Sequence, residues 1–308
     1  MRVAVVDIGT NSTRLYIADV DPSSRSVREL VRRSEVTRLG ERVDASGTLS
    51  PAAVQRVRST LGDYRAIIDR HRCEANLAVL TSAVRDAADG SSFTERVREE
   101  FRLDARVLSG DEEARLTFLG AISGREPSAE PTAVIDIGGG STEFVIGHDH
   151  TAGFHVSVQA GVVRMSERHI HSDPPLPDEL QSLAGDAREV FLAGVPTEQR
   201  APVAHAIAVA GTATSAAAID QRLDPYDSSR VHGYHLDAAT IELLLARLAD
   251  MNDAQRRRVV GLHPDRAPTI VAGMILLGQA LAIFELDEVE VSENDLLRGG
   301  ALHLAGIS

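Results

Sequence analysis

The sequence predicts an α/β protein built as two similar lobes, and a repeated motif is the main reason. Residues 4–20 (AVVDIGTNSTRLYIADV) and 133–149 (AVIDIGGGSTEFVIGHD) share one pattern. In both, a β-branched run ends in Asp-Ile-Gly, crosses a turn rich in Gly, Ser and Thr, and resumes as a second apolar run, as in a β-hairpin. Strand and helix patterns alternate after each copy, which predicts mixed sheets covered by helices. The 308 residues suffice for two domains, which we predict at 1–124 and 125–308, with the terminal helix free to pack back on the first lobe.

The first lobe is predicted to start with three strands and to continue as alternating helices and strands. Its first helix has Ser50 as the expected N-cap and Pro51 at the first helical position. Residues 123–131 contain Gly and two Pro and are expected to form a linker. The predicted elements are strands at 2–6, 14–20, 27–37, 76–80 and 105–108, and helices at 51–72, 92–101 and 111–122.

The same order of elements restarts after the linker. Strands are predicted from Thr132, Glu143 and Gly153, at 204–209 and near Val289, and helices from Gly161 and Pro177, at 237–249 and 267–284, and from Asp295. The apolar run 270–284 contains two Gly and one Gln and stops at an acidic residue. Because this run is short for a membrane span, we expect a buried core helix there.

Charge and composition exclude several classes of function. The net charge of −13 argues against nonspecific binding to nucleic acid, which depends on a basic surface. All 32 basic residues are arginine, so a Walker A lysine and a lysine Schiff base are both excluded. Phosphate would have to be held by backbone amides, arginine side chains and metal ions. The single Cys73 and a first strand that begins at once lead us to expect a cytoplasmic protein without membrane attachment.

The second hairpin loop carries the strongest signal for phosphate binding. The consecutive glycines 138–140 (Gly138, Gly139 and Gly140) let main-chain amides approach a phosphate, and Ser141 and Thr142 add hydroxyl groups. Asp136 and Glu143 flank this loop, and two carboxylates beside a phosphate require a hard cation such as Mg²⁺. The alternative is a glycine-rich hairpin with surface acids.

Two further turns are weaker candidates for phosphate binding. In the first hairpin Asp7 corresponds to Asp136, and Asn11, Ser12 and Thr13 are candidates for phosphate binding. The alternative is that Asp7 only caps the turn. A third glycine segment, 211–215, is expected as a turn before a helix at Ala216, with Gly211 and Thr212 as anion-binding candidates. A plain junction between a strand and a helix is the alternative there.

Six motifs together resemble one known family. DIGTNSTRL, TSAVRDA, LSGDEEARLTFLGA, DIGGGSTEF, AGTATS and ENDLLRGGAL are similar to segments of the exopolyphosphatase and guanosine pentaphosphate phosphohydrolase (Ppx/GppA) family. That family belongs to the actin, sugar kinase and Hsp70 superfamily. The resemblance implies duplicated ribonuclease H-like lobes with the active site in the interdomain cleft. It is closest to the short, two-domain members, so we expect short to medium polyphosphate chains as substrates.

The resemblance also assigns roles to residues. It implies Glu113 as the catalytic base, Asp136 and Glu143 as metal-linked catalytic acids, and Asp7 as a further metal ligand. It implies Arg85, at the end of a strand, as a phosphate contact. Three alternatives stay open: Glu112 as the base, acidic residues that only favour the helix dipole, and Arg85 in a surface ion pair. His232 matches a family segment without an assigned role, and Arg298 is a weaker phosphate-binding candidate.

The implied activity is Mg²⁺-dependent release of orthophosphate from the end of inorganic polyphosphate. Mn²⁺ is an alternative metal, and the resemblance allows a monovalent cation and a homodimer. The runner-up substrate is guanosine pentaphosphate, attacked at its 5′ terminal phosphate. Two other classes of function are an ATP-dependent kinase of the same superfamily and a non-catalytic sensor. No nucleic acid and no membrane is expected as a partner.

Overall fold

The computed structural model describes residues 1–307, which divide into two compact units. The first consists of Met1–Glu126 and the chain from Asn294 onward, and the second is Pro127–Glu293. The observed division thus falls two residues after the predicted one. The final segment, predicted with the C-terminal lobe, is part of the first unit, and Ser308 lies outside the described residues. An active site in a cleft between the lobes stays a prediction.

Strands and helices alternate along most of the chain. The strands are β1 Arg2–Ile8, β2 Thr13–Asp21, β3 Ser26–Glu35, β4 Ala75–Leu80, β5 Ala105–Val107, β6 Thr132–Ile137, β7 Thr142–His148, β8 Thr151–Val158, β9 His205–Val209, β10 Tyr234–Asp237 and β11 Glu288–Val291. The helices are α1 Val43–Ser46, α2 Pro51–His71, α3 Ser82–Asp86, α4 Gly90–Phe101, α5 Gly110–Ile122, α6 Val162–His169, α7 Pro177–Gly194, α8 Thr197–Arg200, α9 Ala210–Asp220, α10 Ser228–Val231, α11 Ala238–Ala249, α12 Asp253–Arg256, α13 Ile270–Phe284 and α14 Leu296–Leu304. A 3₁₀ turn, Pro264–Arg266, precedes α13.

The sheet of the first unit has the order β3-β2-β1-β4-β5. β1, β4 and β5 are parallel, and β2 and β3 are antiparallel additions beside β1. Because side chains alternate across a strand, Ala4 and Val6 pack on the face covered by α2 and α4, while Val3 and Val5 pack against α14. Helices on both faces bury the central strand β1, and the first hairpin loop begins where this buried strand ends.

The sheet of the second unit repeats that order and adds one strand. Its order is β10-β11-β9-β6-β7-β8, so β8-β7-β6-β9-β11 corresponds to β3-β2-β1-β4-β5 of the first sheet. The parallel and antiparallel pairs also correspond. The predicted α/β class and the predicted duplication are therefore confirmed.

The apolar run 270–284 forms the core helix of the second unit, as predicted. α13 is buried along nearly its whole length and packs in the same hydrophobic cluster as residues of α7, α9 and α11. No helix within residues 1–307 is both long enough and apolar enough to cross a membrane.

Glycines bring the terminal helix against α5. A Cβ atom at Gly120 would lie 1.9 Å from the carbonyl oxygen of Asp295, and one at Gly299 would lie 1.8 Å from that of Leu116. Only glycine permits so close an approach of two helix backbones. This contact explains why the last helix is part of the first unit, the packing that was allowed for the terminal helix on sequence grounds.

Most predicted boundaries lie within two residues of the observed ones, and the larger errors fall near the candidate site. Ser50 caps α2 by accepting a hydrogen bond from the amide of Ala53 at 3.1 Å, as predicted. The expected turn 211–215 was wrong, since α9 already begins at Ala210. Ala210 has a left-handed φ of 63°, which reverses the chain in one residue and lets the helix start directly after β9.

Candidate active site

The two repeated hairpins have the same turn geometry. In the first, the amide of Gly9 donates to the carbonyl oxygen of Ser12 at 3.0 Å, and in the second, the amide of Gly138 donates to that of Ser141 at 3.0 Å. Both turns follow the central strand of their sheet, β1 or β6. The duplication seen in the sequence thus extends to the hydrogen bonds of the loops.

The glycine loop of the second hairpin is held by the start of α6. The carbonyl of Gly138 accepts from the amide of Val162 at 2.9 Å, and the carbonyl of Gly139 accepts from the amide of Val163 at 2.8 Å. The carbonyl of Gly140 accepts from the amide of Gly161 at 3.2 Å and from Nε of Arg164 at 2.8 Å. A helix leaves the amides at its N-terminus unpaired, and those at the start of α6 therefore donate to the carbonyls of the loop.

These contacts determine where the amides of the loop point. In a trans peptide group the N–H points away from the C=O. The carbonyls of 138–140 face α6, so the amides of Gly139, Gly140 and Ser141 point to the opposite side. None of the three has a hydrogen-bond partner among residues 1–307. Three adjacent unpaired amides with one orientation form a binding site for an oxyanion.

The first loop repeats this arrangement with different partners. The carbonyl of Thr10 accepts from the amide of Gly40, and that of Asn11 accepts from the amide of Arg38, both at 2.8 Å. By the same peptide geometry, the amides of Asn11 and Ser12 point away from residues 38–40, and neither has a partner in the described part of the chain. The first loop therefore offers two amides and the second offers three.

Two buried carboxylates lie opposite each other in the second hairpin. Asp136 pairs with Glu143 across β6 and β7, and their exposed fractions are 6% and 1%. Glu143 Oε1 accepts hydrogen bonds from the hydroxyl groups of Ser141 and Ser157, both at 2.7 Å. Like charges directly opposite on a sheet repel, so this pair favours a bound cation. The alternative of surface acids does not fit, because both side chains are buried.

Position 14 is the main difference between the two hairpins. Asp7 faces Arg14 where Asp136 faces Glu143. Asp7 Oδ2 accepts from Arg14 Nε at 2.8 Å, and Arg14 also contacts Asp295, the N-cap residue of α14. Burial raises the pKa of Asp7 above its ordinary value, and Arg14 opposes this shift. Asp7 Oδ1 is buried without a hydrogen-bond partner in the described chain, so it is suited to accept from a water molecule or bind a cation.

Arg85 and Glu113 form a partly buried ion pair. Arg85 Nη1 donates to Glu113 Oε2 at 3.0 Å and to the carbonyl of Leu108 at 2.9 Å. Arg85 Nη2 is buried and has no hydrogen-bond partner in residues 1–307. Arg85 was expected at the end of a strand, but it lies in α3. α3 is joined to the first loop, because the amide of Ala83 donates to Thr10 Oγ1 at 3.2 Å.

Glu112 and Glu113 have different surroundings at the start of α5. Glu112 is exposed and forms a capping box: Glu112 Oε2 accepts from the amide of Ser109 at 2.9 Å, and Ser109 Oγ accepts from the amide of Glu112 at 3.2 Å. The hydrogen bonds that Glu112 Oε2 accepts from the amide and then the hydroxyl of Ser109 lower the pKa of Glu112. Glu113 is only 8% exposed and turns toward Arg85. One residue rotates a helical side chain by about 100°, which separates the two roles.

Three predicted hydroxyl donors are occupied within the protein. The hydroxyl of Ser141 donates to Glu143, and that of Thr142 donates to the carbonyl of Ala160 at 2.6 Å. The hydroxyl of Thr13, the counterpart of Thr142, is paired with that of Thr37 at 2.9 Å. Thr13 and Thr142 are fully buried. The hydroxyls of Ser141 and Thr142 thus donate to protein groups in this structure, and their contact with phosphate stays a prediction.

Gly211 and Thr212 lie in the first turn of α9. A Cβ atom at Gly211 would be 1.3 Å from Nη1 of Arg266, so that guanidinium group lies directly against the glycine. Thr212 is buried and packs against Gly273 of α13. The guanidinium group is the end of a flexible side chain and can shift, so this contact alone does not require a glycine. An anion-binding role for Gly211 and Thr212 stays a prediction.

The donor set fits a magnesium ion that is partly held by substrate and water. No group of three or more His, Cys, Asp or Glu side chains suited to hold a metal occurs within residues 1–307. Mg²⁺ commonly uses only one or two protein carboxylates together with phosphate oxygens and water. Asp136 and Glu143 meet that requirement within one hairpin, and Asp7 has its unpartnered Oδ1 in the other.

Several residues at these loops were not predicted. Arg14 could have been found in the repeat, because it aligns with Glu143. Asp295, Ser157 and Arg164 reach the loops from distant parts of the chain, and no local pattern marks them. Arg298, a weaker phosphate-binding candidate, donates from Nε to Ser123 Oγ at 2.6 Å and so links α14 to the end of α5.

Three of the histidines have protein partners. His169 Nε2 lies 2.9 Å from Asp186 Oδ2, and His235 Nδ1 lies 3.2 Å from Glu288 Oε1. His232 Nδ1 lies 3.4 Å from the amide of Glu293. These contacts agree with structural or surface roles.

Comparison with known proteins gives a consistent result. Residues 16–303 match the Ppx/GppA phosphatase family. The chain is 36% identical to Exopolyphosphatase 2 of Mycobacterium tuberculosis, over 99% of both chains. It is similar to the crystal structure of the Aquifex aeolicus member of the Ppx/GppA family, with a TM-score of 0.82, 30% identity and coverage of 99% and 97%. An exopolyphosphatase structure from Cytophaga hutchinsonii gives a TM-score of 0.89 at 26% identity, covering 100% and 99%.

Proposed function

We propose that this chain, which belongs to the Ppx/GppA phosphatase family, is an exopolyphosphatase. Its membership also makes it a phosphoanhydride hydrolase, and the proposal starts from that premise. It would hydrolyse the terminal phosphoanhydride bond of inorganic polyphosphate, of short to medium length, and release orthophosphate. The curated relatives named exopolyphosphatase support this choice of substrate.

The observation that carries the proposal is the set of unpaired loop amides. The amides of Gly139, Gly140 and Ser141 would hold the oxygens of one phosphoryl group, and those of Asn11 and Ser12 would hold a second. Amides that are already oriented need no reorganisation when charge develops in the transition state. Arg85, with its unpartnered Nη2, would contribute a charge-assisted hydrogen bond to the same polyanion.

Glu113 would act as the general base. Its carboxylate would take a proton from a water molecule while the water oxygen forms a bond to the terminal phosphorus and the bond to the bridging oxygen breaks. The shortened polyphosphate leaves as an anion and needs little acid assistance. Arg85 would position Glu113 by the 3.0 Å hydrogen bond to Oε2. The occupation of Glu112 in the capping box supports Glu113 over Glu112.

Asp136, Glu143 and Asp7 would hold Mg²⁺, or Mn²⁺ in its place. The ion would neutralise charge that accumulates on the phosphate oxygens. Ser141 and Ser157 keep Glu143 in one orientation through their hydrogen bonds to Oε1. The carboxylates of Asp136 and Glu143 would each repel a phosphate group placed beside them. A cation between the hairpin and the polyanion would remove this repulsion.

A matched pair of variants tests the assignment of the base. Glu113→Gln should retain the fold and the binding of polyphosphate but should lose at least about 100-fold in kcat. Glu112→Gln is the control, because glutamine keeps the capping box and activity should stay close to wild type. Phosphate release is measured at saturating polyphosphate with Mg²⁺. Near-native turnover of Glu113→Gln, or a loss of activity confined to Glu112→Gln, would refute the role of Glu113.

A second assay separates the substrates. Phosphate release from short polyphosphate, long polyphosphate, guanosine pentaphosphate and ATP is compared at equal concentration. The proposal expects the highest kcat/KM with polyphosphate and no need for an acceptor. Faster release from guanosine pentaphosphate would establish the runner-up activity. Transfer of phosphate only to an added acceptor would indicate a kinase, and binding without release would indicate a sensor.

A further inference from the structure

The second unit contains a cavity of about 310 Å³ at the C-terminal end of α9. Ile219 and Arg222 line it from the end of α9, Arg247 and Met251 from the end of α11, and Arg258 from the segment after α12. Gln255, Val259 and Val260 complete the lining. This volume is at the lower end of the range for small-molecule sites, about 300–1,000 Å³.

The arginines of this cavity differ from their neighbours in having no carboxylate partner. Arg256 Nη2 lies 3.0 Å from Asp173 Oδ1, and Arg257 Nε lies 2.6 Å from Asp253 Oδ2. Within residues 1–307, the side chains of Arg222, Arg247 and Arg258 form no ion pair or hydrogen bond, and no acidic residue lines the cavity. Three guanidinium groups around one cavity repel one another unless an anion lies between them.

The positive charge of this cavity is opposite in sign to the net charge of the chain. Acidic residues outnumber basic ones by 45 to 32, whereas the cavity lining contains three arginines and no acidic residue. A lining of this charge favours an anionic ligand. The other lining residues limit the kind of anion: Ile219, Met251, Val259 and Val260 are apolar. The side chain of Val260 is 41% exposed.

We propose that this cavity binds a nucleotide, with the base against the apolar residues and the phosphates on the three arginines. Met251 and the branched side chains suit a flat aromatic ring, and the side chain of Gln255 can both donate to and accept from the edge of a base. Arginine pairs with phosphate oxygens through two parallel hydrogen bonds. Inorganic polyphosphate satisfies only the arginines, because it has no apolar surface to cover the valines and Ile219.

The cavity is separate from the loops that are proposed to bind substrate. It lies at the C-terminal end of α9, whereas Gly211 lies at the start of that helix. With a rise of about 1.5 Å per residue, the interval from Gly211 to Arg222 spans roughly 16 Å. The site is therefore an additional one within the second unit, and its occupation does not depend on the proposed hydrolysis.

Isothermal titration calorimetry with the full chain tests the site. ADP and inorganic tripolyphosphate are the probes, and EDTA is present so that binding that needs a metal does not contribute. Wild-type protein should bind ADP, and tripolyphosphate should bind this site at least about tenfold more weakly because the apolar contact is missing. Arg247→Gln combined with Arg258→Gln should weaken ADP binding at least about tenfold.

Two controls keep the result interpretable. Arg188→Gln removes an exposed arginine of α7 outside the cavity and should leave the affinity for ADP unchanged. Met251→Gln removes apolar contact and should weaken ADP but not tripolyphosphate. The proposal is overturned if ADP does not bind at millimolar concentration, if the double variant binds it normally, or if the double variant loses tripolyphosphate binding that is as tight as that of ADP. Phosphate release from polyphosphate is measured in parallel, and the double variant should retain it. If ADP binding fails while release is normal, this proposal has failed and the proposed function has not.

Discussion

Replacing Gly161 with alanine tests whether the start of α6 sets the orientation of the glycine loop. A Cβ atom there would lie 2.4 Å from the carbonyl carbon of Gly139 and 2.5 Å from that of Gly140. Both neighbours are backbone atoms and cannot rotate away. In Gly161→Ala, the start of α6 must therefore move away from the loop, which weakens the hydrogen bonds that the loop carbonyls accept.

The structure allows the size of the effect to be estimated. Forcing extra volume into a packed site costs about 1–3 kcal/mol of unfolding free energy. The catalytic effect should be larger, because the peptide groups of 138–140 lose the contacts that keep their amides on one side. The loss of one oriented donor commonly lowers turnover by about 100- to 1,000-fold. We therefore expect a folded protein whose kcat/KM for polyphosphate is reduced at least about 100-fold.

The assay combines phosphate release with urea unfolding, and Gly185→Ala is the matched control. Gly185 lies in α7 of the same unit, and a Cβ atom there meets nothing within 4 Å. Alanine in a helix interior stabilises by about 0.5–1 kcal/mol relative to glycine, so this variant should be more stable and fully active. If Gly161→Ala retained wild-type kcat/KM, the argument from peptide orientation would be wrong.

Two further predictions concern the first unit. Ser109→Ala removes the N-cap of α5 and should lower the unfolding free energy by about 1 kcal/mol; an unchanged urea midpoint would contradict the role of the capping box. Hydrogen bonds from Arg2 and then Arg28 lower the pKa of Asp19 from 3.8 to about 2. Because the folded pKa is depressed, this stabilisation is present above pH 3.8 and is lost as the pH falls toward 2. The difference in urea midpoint between wild type and Asp19→Asn should therefore shrink over that range, and a difference that stays constant would contradict this role of Asp19.

The sequence was sufficient for features that depend on short segments. The repeat at 4–20 and 133–149 predicted both hairpins, because a strand is recognised by local alternation and a tight turn by its glycines. It also predicted Asp7 and Asp136 at equivalent positions, and the two sheets have the same order. The cap at Ser50 was predicted for the same reason, since a cap is a contact between residues three apart.

Features that depend on distant contacts were not predicted. The link between Arg14 and Asp295 spans 281 residues. The packing of the last helix on the first unit was allowed for, but the close approach of Gly120 and Gly299 that produces it was not foreseen. The start of α9 was misjudged because Ala210 adopts a left-handed conformation that alanine rarely takes. These contacts arise from packing, and no periodic pattern records them.

The candidate site shows the same division. The residues that flank the glycine loop, Asp136 and Glu143, could be identified from the sequence because they lie close to it along the chain. Which way the peptide groups of that loop face was decided only in the folded protein, because residues 161–164 bind its carbonyls from one side. The sequence does not specify the direction of a backbone amide. That direction depends on what the carbonyl group of the same peptide contacts in the folded protein.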